Sequence, residues 1–110
     1  MKITESTQDN IRIFRPQGRV DSEGAVDLEI TLQEAFEAGS HHMILDLSQV
    51  TYINSAGLRI LAARLTQNQG SGGDLLVASP SQKIRRVFQI IGFDRFFRLF
   101  DSVESAVQAF

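Results

Sequence analysis

A chain of 110 residues, 43% hydrophobic and 22% charged, has ordinary globular composition and enough length to bury one core without disulfides or metal. It contains no cysteine, which excludes a disulfide framework, a thiolate zinc site and a cysteine nucleophile. Net charge is −2 but uneven: residues 1–57 carry four basic and nine acidic side chains, and residues 58–110 carry seven and four, which is not the strongly basic surface of a nucleic-acid binder. No run approaches the ~20 apolar residues of a membrane span, and the start Met1-Lys2-Ile3-Thr4-Glu5 has no positive-then-apolar signal pattern. One domain over 1–110 is expected, cytoplasmic, with no direct nucleic-acid or membrane partner.

Met1 to Thr7 and Ile11 to Arg15 read as two strands around Gln8-Asp9-Asn10, with Ile11 and Ile13 alternating against Arg12, an antiparallel hairpin. Pro16 and Gly18 interrupt it, and Gly18-Arg19-Val20-Asp21 is a short extended piece leading into a helix. From about Gly24 to Ala38, Ala25, Leu28, Leu32, Ala35 and Phe36 recur at helical spacing opposite Asp27, Glu29, Glu34 and Glu37, and Gly39 supplies the stop. Met43 to Leu47 is a nearly continuous apolar run, as in an interior strand.

Leu58, Leu61, Ala62 and Leu65 define a helix over roughly 55–69, followed by the loop Gly70-Ser71-Gly72-Gly73 and a buried strand from Leu75 to Ala78. Ser79-Pro80-Ser81-Gln82 combines a serine cap, a proline at the first helical position and a glutamine three residues after the cap. Ile84, Val87, Phe88 and Ile91 form the apolar face of that helix, and Gly92 ends it. A last helix starts near Asp101, with Glu104 completing a capping-box pattern, and buries Val103, Ala106, Val107 and Phe110. Two strand–helix–strand units after a hairpin predict an α/β domain with a mixed sheet and right-handed crossovers. Its chemistry belongs in the loops at strand ends, where Asp21 and Ser55 fall.

Ser55 lies in Asn54-Ser55-Ala56-Gly57-Leu58, at the start of a helix. A helix N-terminus has unpaired N–H groups and about +0.5 of an elementary charge, so it tolerates an added phosphate. Ser55 is therefore a candidate switch, and equally a plain N-cap, the commonest job of a serine there. Asp21 has the same two readings: a functional acid, or a cap or first-turn acid for the following helix.

Gly18-Arg19-Val20-Asp21, the long segment Asp46-Leu47-Ser48-Gln49-Val50-Thr51-Tyr52-Ile53-Asn54-Ser55-Ala56-Gly57-Leu58, and Ser79-Pro80 with Val87-Phe88 and Ile91-Gly92-Phe93 together resemble the STAS domain of bacterial anti-sigma factor antagonists. The resemblance covers nearly the whole chain in order. It implies a partner-switching protein, not an enzyme: the unphosphorylated domain binds an anti-sigma factor that is also a protein-serine kinase, phosphorylation of the serine dissociates the complex, and a protein serine/threonine phosphatase resets it. Carried over, the phosphoacceptor is Ser55, and the partner-binding residues are Asp21, Asn54, Ser55, Ala56, Gly57 and Leu58, with Gly57 allowing close backbone approach. Members often have aspartate before the serine; Asn54 brings no charge there. The resemblance implies no cofactor.

Other patterns carry less. His41-His42 in a polar turn without cysteine or clustered carboxylates reads as a solvated loop, so no metal is expected. Gly70 to Gly73 follows a helix and lacks the ending of a phosphate loop. Lys83, Arg85, Arg86, Arg95 and Arg98 interleave with Phe88, Phe93, Phe96, Phe97 and Phe100, a mixture seen at single-stranded nucleic-acid sites. It reads here as an amphipathic helix and a packed corner, and any phenylalanine left exposed marks a protein contact. The enzymatic rival is a serine hydrolase, since Ser55-Ala56-Gly57 is half of a nucleophile elbow. Against it, Ile53 replaces the first glycine, both histidines lie upstream, and some eight residues separate the strand end at Leu47 from Ser55. A non-switching STAS scaffold or ligand-binding module keeps the fold and drops the switch.

Overall fold

Central strands with nearly continuous apolar runs need cover on both faces, and in the computed structural model, which describes residues 1–110, they have it. The elements in order are β1 (Lys2–Gln8), β2 (Ile11–Val20), α1 (Ser22–Glu37), β3 (His42–Asp46), β4 (Val50–Ile53), α2 (Ser55–Gly70), β5 (Asp74–Ala78), α3 (Gln82–Ile90), a single 3-10 turn (Phe93–Arg95), β6 (Leu99–Phe100) and α4 (Val103–Gln108). The strand order is β1-β2-β3-β5-β6, with β4 beside the far end of β2. Only the β1–β2 hairpin is antiparallel. This is the mixed-sheet α/β domain expected.

The period-2 alternation of the strands sorts their side chains into two cores. Phe14, Met43, Leu45, Leu75 and Val77 face α1, α2 and α3, where they join Leu28, Leu32, Leu61, Leu65 and Phe88. Ile11, Ile13, Ile44, Leu76 and Ala78 face the other way, under α4 and its buried Ala106. Helix α1 buries Gly24, Ala25, Leu28, Leu32 and Ala35, the 3.6-residue stripe legible in its sequence.

Several boundaries differ from expectation. Strand β2 runs straight through Pro16 and Gly18: Pro16 stands opposite Ile3, and the register shifts only between Gly18 and Arg19. Proline is tolerated because β2 pairs with β3 over Arg12–Phe14 and with β4 over Gly18–Val20, leaving Arg15–Gln17 an edge on that side. Strand β4, with Val50 and Ile53 buried, falls in the stretch between Leu47 and Ser55 where the sequence predicts no element.

Helix α1 starts at Ser22 rather than Gly24, capped by Asp21. The cap of α3 is Ser81, whose side chain accepts from the Ile84 N–H, and not Ser79, which has a left-handed backbone. The cap of α4 is Ser102, accepting from the Ser105 N–H, and not Asp101. Only Ala106 of α4 is buried; Phe110 is exposed and stacks on His42 at 5.0 Å. The corner after α3 is packed by aromatic edges, with Phe97 5.5 Å and Phe93 6.1 Å from the buried Phe88 ring. Phe96 points outward.

Candidate functional site

Parallel β2 and β4 end side by side, with Val20 paired to Ile53 and the Asn54 N–H donating to the Val20 carbonyl at 3.0 Å. Each strand leads directly into a helix, so two helix N-termini emerge next to each other. Both turns have the same chemistry: Asp21-Ser22-Glu23-Gly24 and Asn54-Ser55-Ala56-Gly57. The Asp21 carboxylate accepts from the Gly24 N–H at 2.9 Å, and the Asn54 carbonyl oxygen accepts from the Gly57 N–H at 3.0 Å. Each satisfies one orphan donor of its helix.

The glycines are required by close packing. A Cβ on Gly57 would lie 2.7 Å from Val20 Cγ1 and 2.9 Å from Ile53 Cγ1, and one on Gly24 would lie 2.7 Å from the Arg19 carbonyl oxygen. Bare backbone at these positions lets both helices drop onto the strand ends. The turns are also linked directly, the Asn54 amide donating to the Ser22 hydroxyl at 3.4 Å.

Ser55 is the first residue of α2, not its cap. With Asn54 filling the cap, the Ser55 hydroxyl is free and exposed at the mouth of the helix. Asparagine performs the capping task as well as aspartate does, so the absent charge at position 54 leaves the local geometry intact. Asp21 and Ser22 are exposed beside Ser55, and Ala56 is half-buried. Gly57 and Leu58 belong elsewhere: Gly57 is buried, and Leu58 sits in the core beneath the helices, so these two position the surface instead of forming it. Beside the site Arg19 lies over the Tyr52 ring at 4.1 Å.

Ser22 is the residue that sequence reasoning passed over. The signal was present as the repeated Asx-Ser-x-Gly pattern, but its meaning depends on β4, which places the second copy against the first. The same strand removes one argument against a hydrolase, because the chain leaves β4 at Ile53, only two positions before Ser55. The other arguments stand on geometry: His41 and His42 lie at the start of β3, whereas Ser55 follows the C-terminal end of β4. His41 packs on Phe36 at 4.5 Å, and no group of three His, Asp or Glu side chains converges to hold a metal.

A mixed sheet with a hairpin at its start, and an exposed serine at a helix mouth beside a second capped helix, define a small α/β domain that presents a serine hydroxyl at its surface. The STAS domain model matches residues 2–106, and the chain belongs to that family, among the anti-sigma factor antagonists. It is 36% identical over 110 residues to BtrV of Bordetella bronchiseptica, covering 100% of this chain and 95% of that one. To the anti-sigma-F factor antagonist RsfB of Mycobacterium tuberculosis it is 28% identical over 105 residues, covering 96% and 85%. The anti-sigma factor antagonist SpoIIAA of Bacillus shares the fold, with a TM-score of 0.84 in its unphosphorylated form and 0.77 in its phosphorylated form, at 17% identity; these cover 98% of this chain and 95% and 98% of those.

Proposed function

We propose that this domain is a phosphorylation-controlled antagonist that, with Ser55 unmodified, docks onto an anti-sigma factor doubling as a protein-serine kinase. The observation that carries this reading is the exposed, uncommitted Ser55 hydroxyl at the first position of α2. A kinase reaches it without unfolding anything. The surface around it comprises Asp21, Ser22, Asn54 and Ala56, held rigid by the buried Gly57 and Leu58. Relatives named for sigma-factor control and the two SpoIIAA forms support the same reading.

Phosphorylation adds about −1.5 to −2 charge and three acceptor oxygens at a helix mouth that tolerates them, so the domain stays folded. The complex does not. A partner packed over Ser55 would have to bury a dianion beside Asp21, and a loss of ~3 kcal/mol lowers affinity more than a hundredfold. A protein serine/threonine phosphatase then restores the binding form. The domain acts as substrate and ligand rather than enzyme.

The test is incubation with candidate kinases and ATP, followed by mass spectrometry and binding measurements. The tryptic fragment runs from Val20 to Arg59 without an internal Lys or Arg and holds both Ser22 and Ser55, so the phosphate must be located by fragmentation. One phosphate on Ser55 and weakened kinase binding by Ser55→Asp are expected. Unchanged binding by both Ser55→Asp and Ser55→Ala would leave a non-switching scaffold as the better reading.

A further inference from the structure

Helices α1 and α3 lie on opposite flanks of α2. Helix α1 sits toward the β1 edge, where the Met1 amino group pairs with Asp27 and Met1, Ile3 and Ile30 line a shallow cleft. On the other flank, Phe93, Phe96 and Phe97 of the turn after α3 line, together with Ala62 and Leu65 of α2, an apolar groove of about 270 Å³. Each flank shows solvent an apolar stripe; the charges of α1 are all acidic and those of α3 all basic, with Asp94 an exposed acid in the turn that follows α3.

On α1 the residues Glu23, Val26, Ile30, Glu34 and Glu37 follow one another at three- and four-residue steps along one ridge. Val26 is 56% and Ile30 51% exposed, and Glu23, Glu34 and Glu37 are exposed with no ion-pair partner. The helix has no Lys or Arg at all. On α3 the ridge is Lys83, Arg86 and Ile90, and the turn beyond its end exposes Ile91, Asp94, Arg95 and Phe96. Ile90 is 73%, Ile91 44% and Phe96 63% exposed, and Lys83, Arg86 and Arg95 make no ion pair. An acidic ridge with an apolar centre therefore has its complement, a basic ridge ending in apolar side chains beside a groove, on the other side of the same molecule.

We propose that the α3 flank is a docking surface for a second copy of this chain, occupied by the acidic ridge of that copy's α1. Val26 and Ile30 meet Ile90, Phe96 and the groove, while Glu34 and Glu37 face Arg86 and Lys83. This goes beyond the Ser55 switch and does not rest on it. The contact is heterologous, one face of each copy meeting the other face of the next, so it propagates into open chains unless the rotation closes a ring. With two short ridges it belongs to the small, weak class of interfaces, and its charges make it salt-sensitive.

Sedimentation velocity decides this with two full-length variants, Ile30→Ser/Glu34→Arg and Arg86→Glu/Ile90→Ser, all four positions being surface residues. Wild type is expected to gain mass between ~10 µM and ~1 mM, the range of a weak interface, and to lose that gain in ~1 M salt, where the screening length is ~3 Å. Each variant alone is expected to remain monomeric, because each lacks one of the two faces. Their mixture is expected to form a heterodimer that grows no further, since the first variant keeps its α3 face and the second its α1 face. A wild type that stays monomeric to ~1 mM overturns the proposal, as does association retained by either variant alone. Binding of the isolated protein to vesicles of anionic phospholipid, without self-association, would assign the α3 flank to a membrane and overturn it equally. Circular dichroism of both variants confirms that the fold is intact.

Discussion

Two adjacent residues at the mouth of α2 have opposite duties, and paired alanine substitutions separate them. Asn54 accepts from the Gly57 N–H at 3.0 Å and donates to the Ser22 hydroxyl at 3.4 Å, so Asn54→Ala removes a helix cap and a weak tether between two turns. Loss of an N-cap costs about 1 kcal/mol, within a range of about 0.5–2. The tether is long, its acceptor, the exposed Ser22 hydroxyl, turns to water on substitution, and it adds at most a few tenths of a kcal/mol. For a domain of this size about 1 kcal/mol lowers Tm by roughly 4–6 °C. Ser55→Ala removes an exposed hydroxyl outside the cap and puts the best helix former in a helical position, so its effect stays within about 0.5 kcal/mol. Urea titration with a common m-value, backed by calorimetry, measures both. A Ser55→Ala loss of about 1 kcal/mol with Asn54→Ala neutral would refute the assignment and return the cap to the serine. The distinction bears on function: only if Ser55→Ala leaves stability unchanged does altered partner binding by Ser55 variants report on the surface alone.

Gly57→Ala places a methyl within 2.7 Å of Val20 and 2.9 Å of Ile53, both buried. Overpacking at about 1–3 kcal/mol outweighs a helix-propensity gain of at most about 1, so a net loss near 1 kcal/mol is expected in urea denaturation, and a gain would contradict the close packing described. Ser55→Asp places a carboxylate at the positive end of α2 and is expected to hold or raise stability, by about 0.3–1 kcal/mol at low salt, with the increment shrinking as salt is added; a marked drop in Tm would show that the charge disrupts the domain itself. Asp46 is buried at the end of β3, accepting from the Arg15 guanidinium at 3.1 Å and from the Ser48 N–H at 3.0 Å. Asp46→Ala strips both and is expected to cost about 2 kcal/mol of unfolding free energy, whereas a neutral result would mean that water replaces the carboxylate freely.

Local pattern determined a good deal about this protein. The 3.6-residue stripe of α1, the apolar runs of β3 and β5 and the stop at Gly39 follow from short-range periodicity and backbone preference, and a long matching segment around Ser55 identified the family. Boundaries set by competition between neighbouring signals were not legible. Ser79-Pro80 and Ser81-Gln82 both spell a helix start, and only the packed chain assigns the cap to Ser81, because Ser79 is bent left-handed and its hydroxyl donates to the Asp101 carbonyl. Pro16 spells an interruption, yet it lies where β2 has left β3 and not yet met β4.

Strand β4 is the decisive case. Four residues with two buried side chains carry too little periodicity to announce a strand, and their extended form is stabilised by hydrogen bonds to β2, more than thirty positions earlier in the chain. That long-range pairing turns two separate Asx-Ser-x-Gly motifs into one surface, placing Ser22 and Asp21 beside Ser55 and pressing Gly57 onto Val20. That a serine stands at a helix start was written in adjacent residues. What stands next to it, and whether its hydroxyl is free, was decided by which strands pair, because neighbours across a sheet are chosen by the whole fold.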